Sequence, residues 1–161
     1  MVKAIGIILF LLSSWSRHSS GLFTEFQSDG LTSGIYILTT PPKKVACPNE
    51  ARMIVNGQKI CISKKPIIAA DELTYATDIE YDPRYELHYI DIGLSTTGGS
   101  TLARTVQSLP DSRFALALEG QVICVFRADP TLAISSFRIG SDITLKDLNA
   151  IHEVLKNVKF N

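Results

Sequence analysis

The sequence contains few of the residues that catalysis and metal binding most often need. It has three histidines, three cysteines and one tryptophan among its 161 residues. His18, His88 and His152 have no histidine or cysteine at the spacing of zinc ligands, so the sequence carries no zinc motif. A histidine base also needs a nucleophile and an orienting group. We therefore predict no metal site, no cofactor and no catalytic residue.

The chain also lacks an excess of either charge. Lysine and arginine number 16, and so do aspartate and glutamate, with no long run of one sign. Phosphate backbones and anionic lipids attract basic surfaces, so this balance predicts neither a nucleic-acid partner nor electrostatic attachment to a membrane. A hydrophobic fraction of 45% is enough to build a core and excludes global disorder.

No apolar run reaches the ~20 residues that a membrane-spanning helix needs. The block Ala4–Leu12 follows Lys3 and precedes several serines, and this order is typical of a secretory signal peptide. We predict a signal peptide at residues 1–20 and a periplasmic or secreted protein; an uncleaved anchor or a buried helix is the alternative. Residues 21–34, rich in Ser, Thr and Gly, are predicted to be a linker before a single domain at 35–161.

The cysteines are consistent with export. If Cys47 and Cys61 form a disulfide, they close a loop of roughly 15 residues, which contributes ~3 kcal/mol in the chain-entropy model. Two free thiols are the alternative, and an exported protein favours the bridge. Cys124 lies within an apolar run, where burial raises a thiol pKa, so we predict a buried and unreactive side chain.

Two short motifs resemble functional sites, but each lacks a required residue. Asp78, Glu80 and Asp82 alternate like ligands of a calcium loop, but Pro83 replaces the turn glycine and no glutamate follows at the required offset. We interpret them as one solvated face of a strand. Residues 98–101, Gly-Gly-Ser-Thr, lack the lysine of a phosphate loop and the glycine that follows a nucleophile-elbow serine. These glycines are predicted to give the chain room to turn.

The strongest structural signal lies between Arg113 and Gly140. Two apolar runs flank Glu119-Gly120, and a two-residue connection of this kind predicts a β-hairpin. Both faces of the two runs are apolar. This pattern predicts a central strand pair that is covered on one face and partly shielded on the other.

Shorter patterns predict the remaining elements. Strands are predicted at 35–38, 51–55, 58–62, 78–82, 87–94 and 137–139, with Asn56-Gly57 as a hairpin turn. Helices are predicted at 71–76, at 96–109 and after Thr144, where one face carries Leu145, Leu148, Ile151, His152, Leu155 and Val158. This order predicts an α+β fold, a mostly antiparallel sheet with helices packed on one face.

Residues 66–161 carry a family resemblance. The segments 68–76, 89–98, 113–123 and 137–144, with Glu119-Gly120 and Ile143-Thr144 as landmarks, follow the order found in the SecD family. This part of the chain resembles the head subdomain of the large periplasmic domain of SecD, an accessory subunit of the bacterial preprotein translocase. The resemblance implies a non-catalytic envelope module that contacts exported chains. The family's membrane helices and the base of its periplasmic domain have no counterpart here.

Three functional hypotheses follow. The first is an exported module that binds protein, either an exported polypeptide or an envelope or translocase component, at an open sheet edge or in an apolar groove between helix and sheet. The second is a structural subunit of an envelope complex, which needs an exposed apolar patch. The third is a small secreted hydrolase, which would require Ser100, His88 and His152 to lie close together.

Overall fold

The computed structural model describes residues 30–41, 45–47, 49–129 and 135–160. The predicted signal peptide and most of the predicted linker lie outside these ranges. Within them the chain forms ten strands, a single 3₁₀ turn and two α-helices, and every strand ladder is antiparallel. This mixed content confirms the predicted α+β class.

The elements follow one another along the chain without a repeat. The strands are β1 (Gly34–Ile37), β2 (Glu50–Arg52), β3 (Lys59–Cys61), β4 (Ile68–Ala69), β5 (Leu73–Ala76), β6 (Glu80–Asp82), β7 (Leu87–Leu94), β8 (Phe114–Leu118), β9 (Gln121–Phe126) and β10 (Ser136–Ile139). The 3₁₀ turn is Ala70–Glu72, and the helices are α1 (Thr96–Ser108) and α2 (Leu145–Leu155). Sheet A has the order β4-β1-β8-β9, and sheet B has the order β10-β7-β5 with β6 also paired to β7. Strands β2 and β3 form a separate hairpin.

Sheet A is buried on both faces. Ile35, Phe114 and Leu116 point into the main core, which sheet B and the two helices share. Tyr36 and Ala115, each one position along from those residues, point into a second core covered by the β2–β3 hairpin. The apolar character of both faces of β8 and β9 is thus explained by two cores, one on each side. A fully buried Leu or Phe contributes about 1.5–3 kcal/mol, so β8 and β9 are central to stability.

A bulge in β9 adjusts which side chains enter each core. Leu116 pairs with Cys124, whereas the next residue, Ala117, pairs with Val122. Ile123 is the extra residue, and it lies with Cys124 in the main core. The bulge therefore directs two consecutive side chains of β9 to the same side of the sheet.

The predicted β8–β9 hairpin turn is confirmed. Glu119 has a φ of +50° and Gly120 a φ of +80°, and positive φ at both central residues is what a type I′ turn requires. The backbone N–H of Glu119 donates a hydrogen bond to Ser33 Oγ over 2.9 Å. The chain entering β1 is therefore attached to this turn, and Leu31 is already buried before β1 begins.

Both helices pack on the main core, as predicted. Helix α1 begins after Ser95, whose hydroxyl oxygen accepts from the Gly98 N–H over 3.0 Å. Helix α2 begins after Thr144, which caps the Asp147 N–H over 3.2 Å. A cap of this kind stabilises a helix by about 1 kcal/mol. Buried side chains of the two helices in this core are Leu102, Val106, Leu148, Ile151 and Leu155.

Two sequence predictions about the helices are wrong. Residues 71–76 form no α-helix: the 3₁₀ turn ends at Glu72, and β5 then pairs with β7. A helix of six residues is not stable without strong tertiary packing. In β5, Leu73 is instead buried and pairs with Leu94 of β7. Leu145 was predicted on the inner face of α2, but its side chain is 47% exposed.

The hairpin of β2 and β3 is closed by a disulfide. Cys47 and Cys61 are bonded, with their Cα atoms 5.6 Å apart, which confirms the predicted pair. Disulfides persist in oxidising compartments, so this bond fits an exported protein. In the part of the chain that the structure describes, no helix is long and apolar enough to cross a membrane.

Candidate functional site

A groove of about 790 Å³ runs along one flank of α2. This volume lies within the range of about 300–1,000 Å³ that is typical of ligand sites. We call it the α2 groove; its walls are Ile54, Val55, Leu118, Glu119, Gln121, Lys146, Asp147, Ala150, Glu153, Val154 and Asn157.

Three elements form the groove. The Glu119-Gly120 turn supplies one wall, and the turn between β2 and β3 supplies another. The β2–β3 turn is joined to the start of β9, where the Ile54 N–H donates to the Val122 carbonyl oxygen over 2.8 Å. Helix α2 completes the groove with the flank beside its buried face, where residues three and four apart lie side by side.

The floor of the groove is apolar. Ile54, Val55 and Val154 are half-buried and pack against the main core, and Leu118 beneath them is buried. Ala150 is exposed on the helix wall, and its single methyl group leaves the space above it open. The groove is therefore a partly exposed extension of the core surface.

The rim of the groove carries more acidic than basic groups. Glu119, Asp147 and Glu153 contribute three carboxylates, and Lys146 contributes one ammonium. Glu153 also pairs with Lys156, whose Nζ lies 3.2 Å from Oε1; both side chains are more than half exposed. The site thus combines an apolar floor with a predominantly acidic rim.

The sequence did not single out these residues. It predicted an apolar groove between helix and sheet only in general terms, because the walls come from segments far apart along the chain. One local signal was available in α2. Val154 lies beside exposed Glu153 on the flank of the helix, outside the fully buried set of Leu148, Ile151 and Leu155.

Acidic side chains on and beside β6 form a network with Arg138 and Tyr89. Arg138 forms a two-point ion pair with Asp91, with N–O distances of 2.9 and 3.0 Å, and lies 3.8 Å from Asp82. Its guanidinium carbon is 3.6 Å from the centre of the Tyr89 ring, and the Tyr89 hydroxyl donates to Glu80 over 2.7 Å. The hydrogen bond to Glu80 raises the pKa of Tyr89, and the one to Asp91 raises the pKa of Arg138. Among the described residues, no three potential ligands are grouped to hold a metal.

The three candidate hydrolase residues are not joined to one another. The Ser100 hydroxyl donates to a backbone carbonyl one turn earlier in α1, over 2.7 Å. The His88 ring packs on Tyr81 with ring centres 4.9 Å apart, and His152 Nε2 is 3.0 Å from an Asp78 carboxylate oxygen. Within the described part of the chain, no hydrogen bond links any two of these three side chains. They do not form the nucleophile–base pair that covalent hydrolysis needs.

Gly98 has a packing role. A Cβ added at Gly98 would lie 3.1 Å from Cβ of Glu72 and 3.5 Å from a methyl carbon of Ile68. The Ser95 hydroxyl also donates to the Glu72 carboxylate. The first turn of α1 therefore packs closely on the 3₁₀ turn, which explains the glycine without a phosphate site.

Cys124 is buried and chemically protected. Burial raises the pKa of its thiol to about 12. A thiol with so high a pKa supplies almost no thiolate at neutral pH, and the thiolate is the reactive form. The prediction of a buried, unreactive cysteine is consistent with this environment.

Comparison with protein-family models, with characterised proteins and with solved structures finds no match to this chain. The likeness to the SecD head subdomain stays a prediction from the sequence. Function must be inferred from the geometry of the chain itself.

Proposed function

We propose that this chain is an exported, non-catalytic protein-binding domain, and that the α2 groove holds an apolar segment of an unfolded or translocating polypeptide. The observation that carries the proposal is the groove itself, with its half-buried floor of Ile54, Val55 and Val154 beneath a charged rim. Apolar side chains inserted there would gain about 25 cal/mol for each Å² removed from water.

The dimensions of the groove suit a short extended segment. The wall formed by α2 and the turn that follows it extends from Lys146 to Asn157. At a rise of 1.5 Å per residue, this wall is about 16 Å long. An extended chain rises about 3.3 Å per residue, so about five residues span the wall. A segment of that length occurs in almost any unfolded polypeptide, which favours broad rather than sequence-specific binding.

Binding in this groove relies on side chains rather than on strand addition. The edge of β9 next to the groove is already occupied, since Met53 bridges to Val122 and Ile54 donates to the same residue. Strand addition needs a row of unpaired backbone groups. We therefore expect affinity to depend on apolar side chains of the ligand and to tolerate many sequences.

The location of the protein is part of the proposal. The Cys47–Cys61 disulfide supports export, and the order of charge, apolar block and serines at the N-terminus supports a periplasmic or secreted protein. The resemblance to SecD supports an exported polypeptide, or an envelope or translocase component, as the partner. We propose no enzymatic activity and no cofactor.

A bulky residue at position 150 tests the proposal. Ala150→Trp should fill the groove and weaken binding of a permanently unfolded, carboxymethylated polypeptide by at least about tenfold, which corresponds to ~1.4 kcal/mol. Fluorescence anisotropy with a labelled polypeptide measures this. Asn149→Trp is the matched control, because Asn149 is exposed on the same helix but does not line the groove. Equal binding by the wild type and both variants, or no binding by the wild type, would contradict the proposal.

A structural subunit of an envelope complex is the second candidate. Tyr81 and Tyr85 are 52% and 66% exposed on the β6–β7 hairpin, where they offer an aromatic contact surface. Tyrosine is common at protein interfaces. This function predicts stable co-purification with a fixed partner that is lost in a Tyr85→Ser variant but kept in Ala150→Trp.

A further inference from the structure

Resting on the proposed function, we infer that the α2 groove selects polypeptide segments in which basic residues flank apolar ones. The groove has carboxylates on two separate walls: Glu119 on the β8–β9 turn, and Asp147 and Glu153 on α2. An apolar segment lying on the floor would have a carboxylate on either side. Complementary charge at a rim sets specificity more than it sets overall affinity.

The backbone that carries the Glu119 side chain is held at a fixed place on the rim. Its side chain is exposed, while its backbone N–H is bonded to Ser33 and its φ is fixed at +50° by the turn. Little backbone motion is therefore needed before a ligand cation can meet this group. Preorganisation of this kind reduces the entropic cost of binding.

The basic groups nearby do not cancel the acidic ones. Lys146 lies in the first turn of α2, at the opposite end of the helix wall from Glu153 and Asn157. The pair of Glu153 with Lys156 is exposed, and exposed pairs contribute about 0–1 kcal/mol, so a ligand cation can replace Lys156 at little cost. The C-terminal end of a helix also carries partial negative charge, which favours a cation at the Glu153 end.

The same charges argue against the chain's own N-terminal linker as the occupant. Residues 21–29 contain Phe23 and Phe26, but their charged residues are Glu25 and Asp29 and none is basic. Like charges facing the rim would disfavour this segment. The ligand that the groove fits is therefore a segment of another polypeptide with apolar and basic side chains.

Three synthetic peptides test this inference. They share the same leucines and differ only in whether lysine, glutamine or glutamate flanks them. We expect the lysine peptide to bind about three- to tenfold more tightly than the glutamine peptide, and the glutamate peptide to bind most weakly. Isothermal titration at low ionic strength and at about 0.5 M salt should show this difference shrink, because salt screens exposed charges.

Matched variants assign the selectivity to the rim. Glu119→Asn and Glu153→Gln should each reduce the preference for lysine, and the double variant should reduce it furthest. Glu86→Asn is the control, since Glu86 also has a positive φ, +52°, and loses the same charge, but it does not line the groove.

The outcomes separate this inference from the proposed function. Equal binding of all three peptides, abolished by Ala150→Trp, would overturn charge selection and leave the groove function standing. Binding of none of them would overturn both. A preference for lysine that Glu86→Asn removes, but the rim variants keep, would also overturn the inference.

Discussion

Glu119 has two roles: its positive φ forms part of the β8–β9 turn, and its carboxylate forms part of the acidic rim of the groove. A non-glycine residue at positive φ costs roughly 1 kcal/mol, and asparagine tolerates this region better than glutamate does. Asn-Gly is also the preferred sequence of a type I′ turn. Glu119 therefore has a conformational cost that asparagine would reduce, while its side chain lines the groove.

Asparagine should stabilise the folded chain at both glutamates that have positive φ. Glu119→Asn and Glu86→Asn should each raise the free energy of unfolding by about 0.5–1 kcal/mol, because both sites have positive φ. Urea denaturation measures the change. Only Glu119→Asn should also weaken binding of the lysine peptide. A loss of stability at both sites would show that the turn geometry does not control these residues.

Cys124 makes a prediction about reactivity and pH. Its thiol should not react with a thiol reagent in the native protein at pH 8, and one thiol should appear on denaturation without reductant. The folded-state pKa, about 12, is above the ordinary value of ~8.5. The stability that Cys124 contributes is therefore full below pH ~8.5 and is lost as the pH rises towards 12, because the unfolded chain releases its proton first. Rapid labelling of the native protein would contradict this account.

At the scale of elements, the β2–β3 hairpin connects the disulfide to the groove. The bond closes this hairpin near its base, and the far end of the hairpin supplies Ile54 and Val55 to the groove floor. The hairpin also covers the second core, where Ala51 and Ile62 are buried. One cross-link therefore supports both a core and a wall of the site.

Removing this cross-link should weaken stability and binding together. The double variant Cys47→Ser, Cys61→Ser should lose about 3 kcal/mol of unfolding free energy, the value expected for a loop of this length. Polypeptide binding should fall as well, because the wall at Ile54 and Val55 is less well held. Urea denaturation and anisotropy check the two effects, and Cys124→Ala under the same conditions shows what losing an unpaired cysteine does. Unchanged binding by the double variant would mean that the hairpin wall is not part of the site.

The elements show where sequence patterns are sufficient and where they are not. The β8–β9 hairpin and the two helices were predictable because Glu119-Gly120, Ser95 and Thr144 are local signals. The helix predicted at residues 71–76 was wrong because acidic residues also suit a 3₁₀ turn. In addition, the pairing of β5 with β7 depends on residues about 20 positions away along the chain. The groove was not predictable, since its walls meet only after the hairpins and α2 have packed.

At the scale of the whole molecule, the distribution of charge matters more than its sum. The formal net charge is zero, so long-range attraction of any charged partner is weak. The acidic rim acts only within about a Debye length, ~8–10 Å at physiological salt. We therefore expect the groove to discriminate among segments that have already made contact, rather than to accelerate their arrival.

Sheet A gives the molecule a rigid frame for this surface. It is buried on both faces, by the main core on one side and by the disulfide-closed hairpin on the other. The β8–β9 turn extends from this sheet, and the β2–β3 turn is bonded to β9 through Ile54 and Val122. A binding site supported in this way should change little in shape when a ligand enters.

NMR mapping of the lysine peptide on the isotopically labelled full chain shows directly where the peptide binds. The account predicts that amide signals of Ile54, Val55, Ala150 and Val154 shift on titration, and that Ala150→Trp removes these shifts. Shifts confined to the outer face of sheet B around Tyr89 and Arg138, with none at the α2 groove, would contradict it.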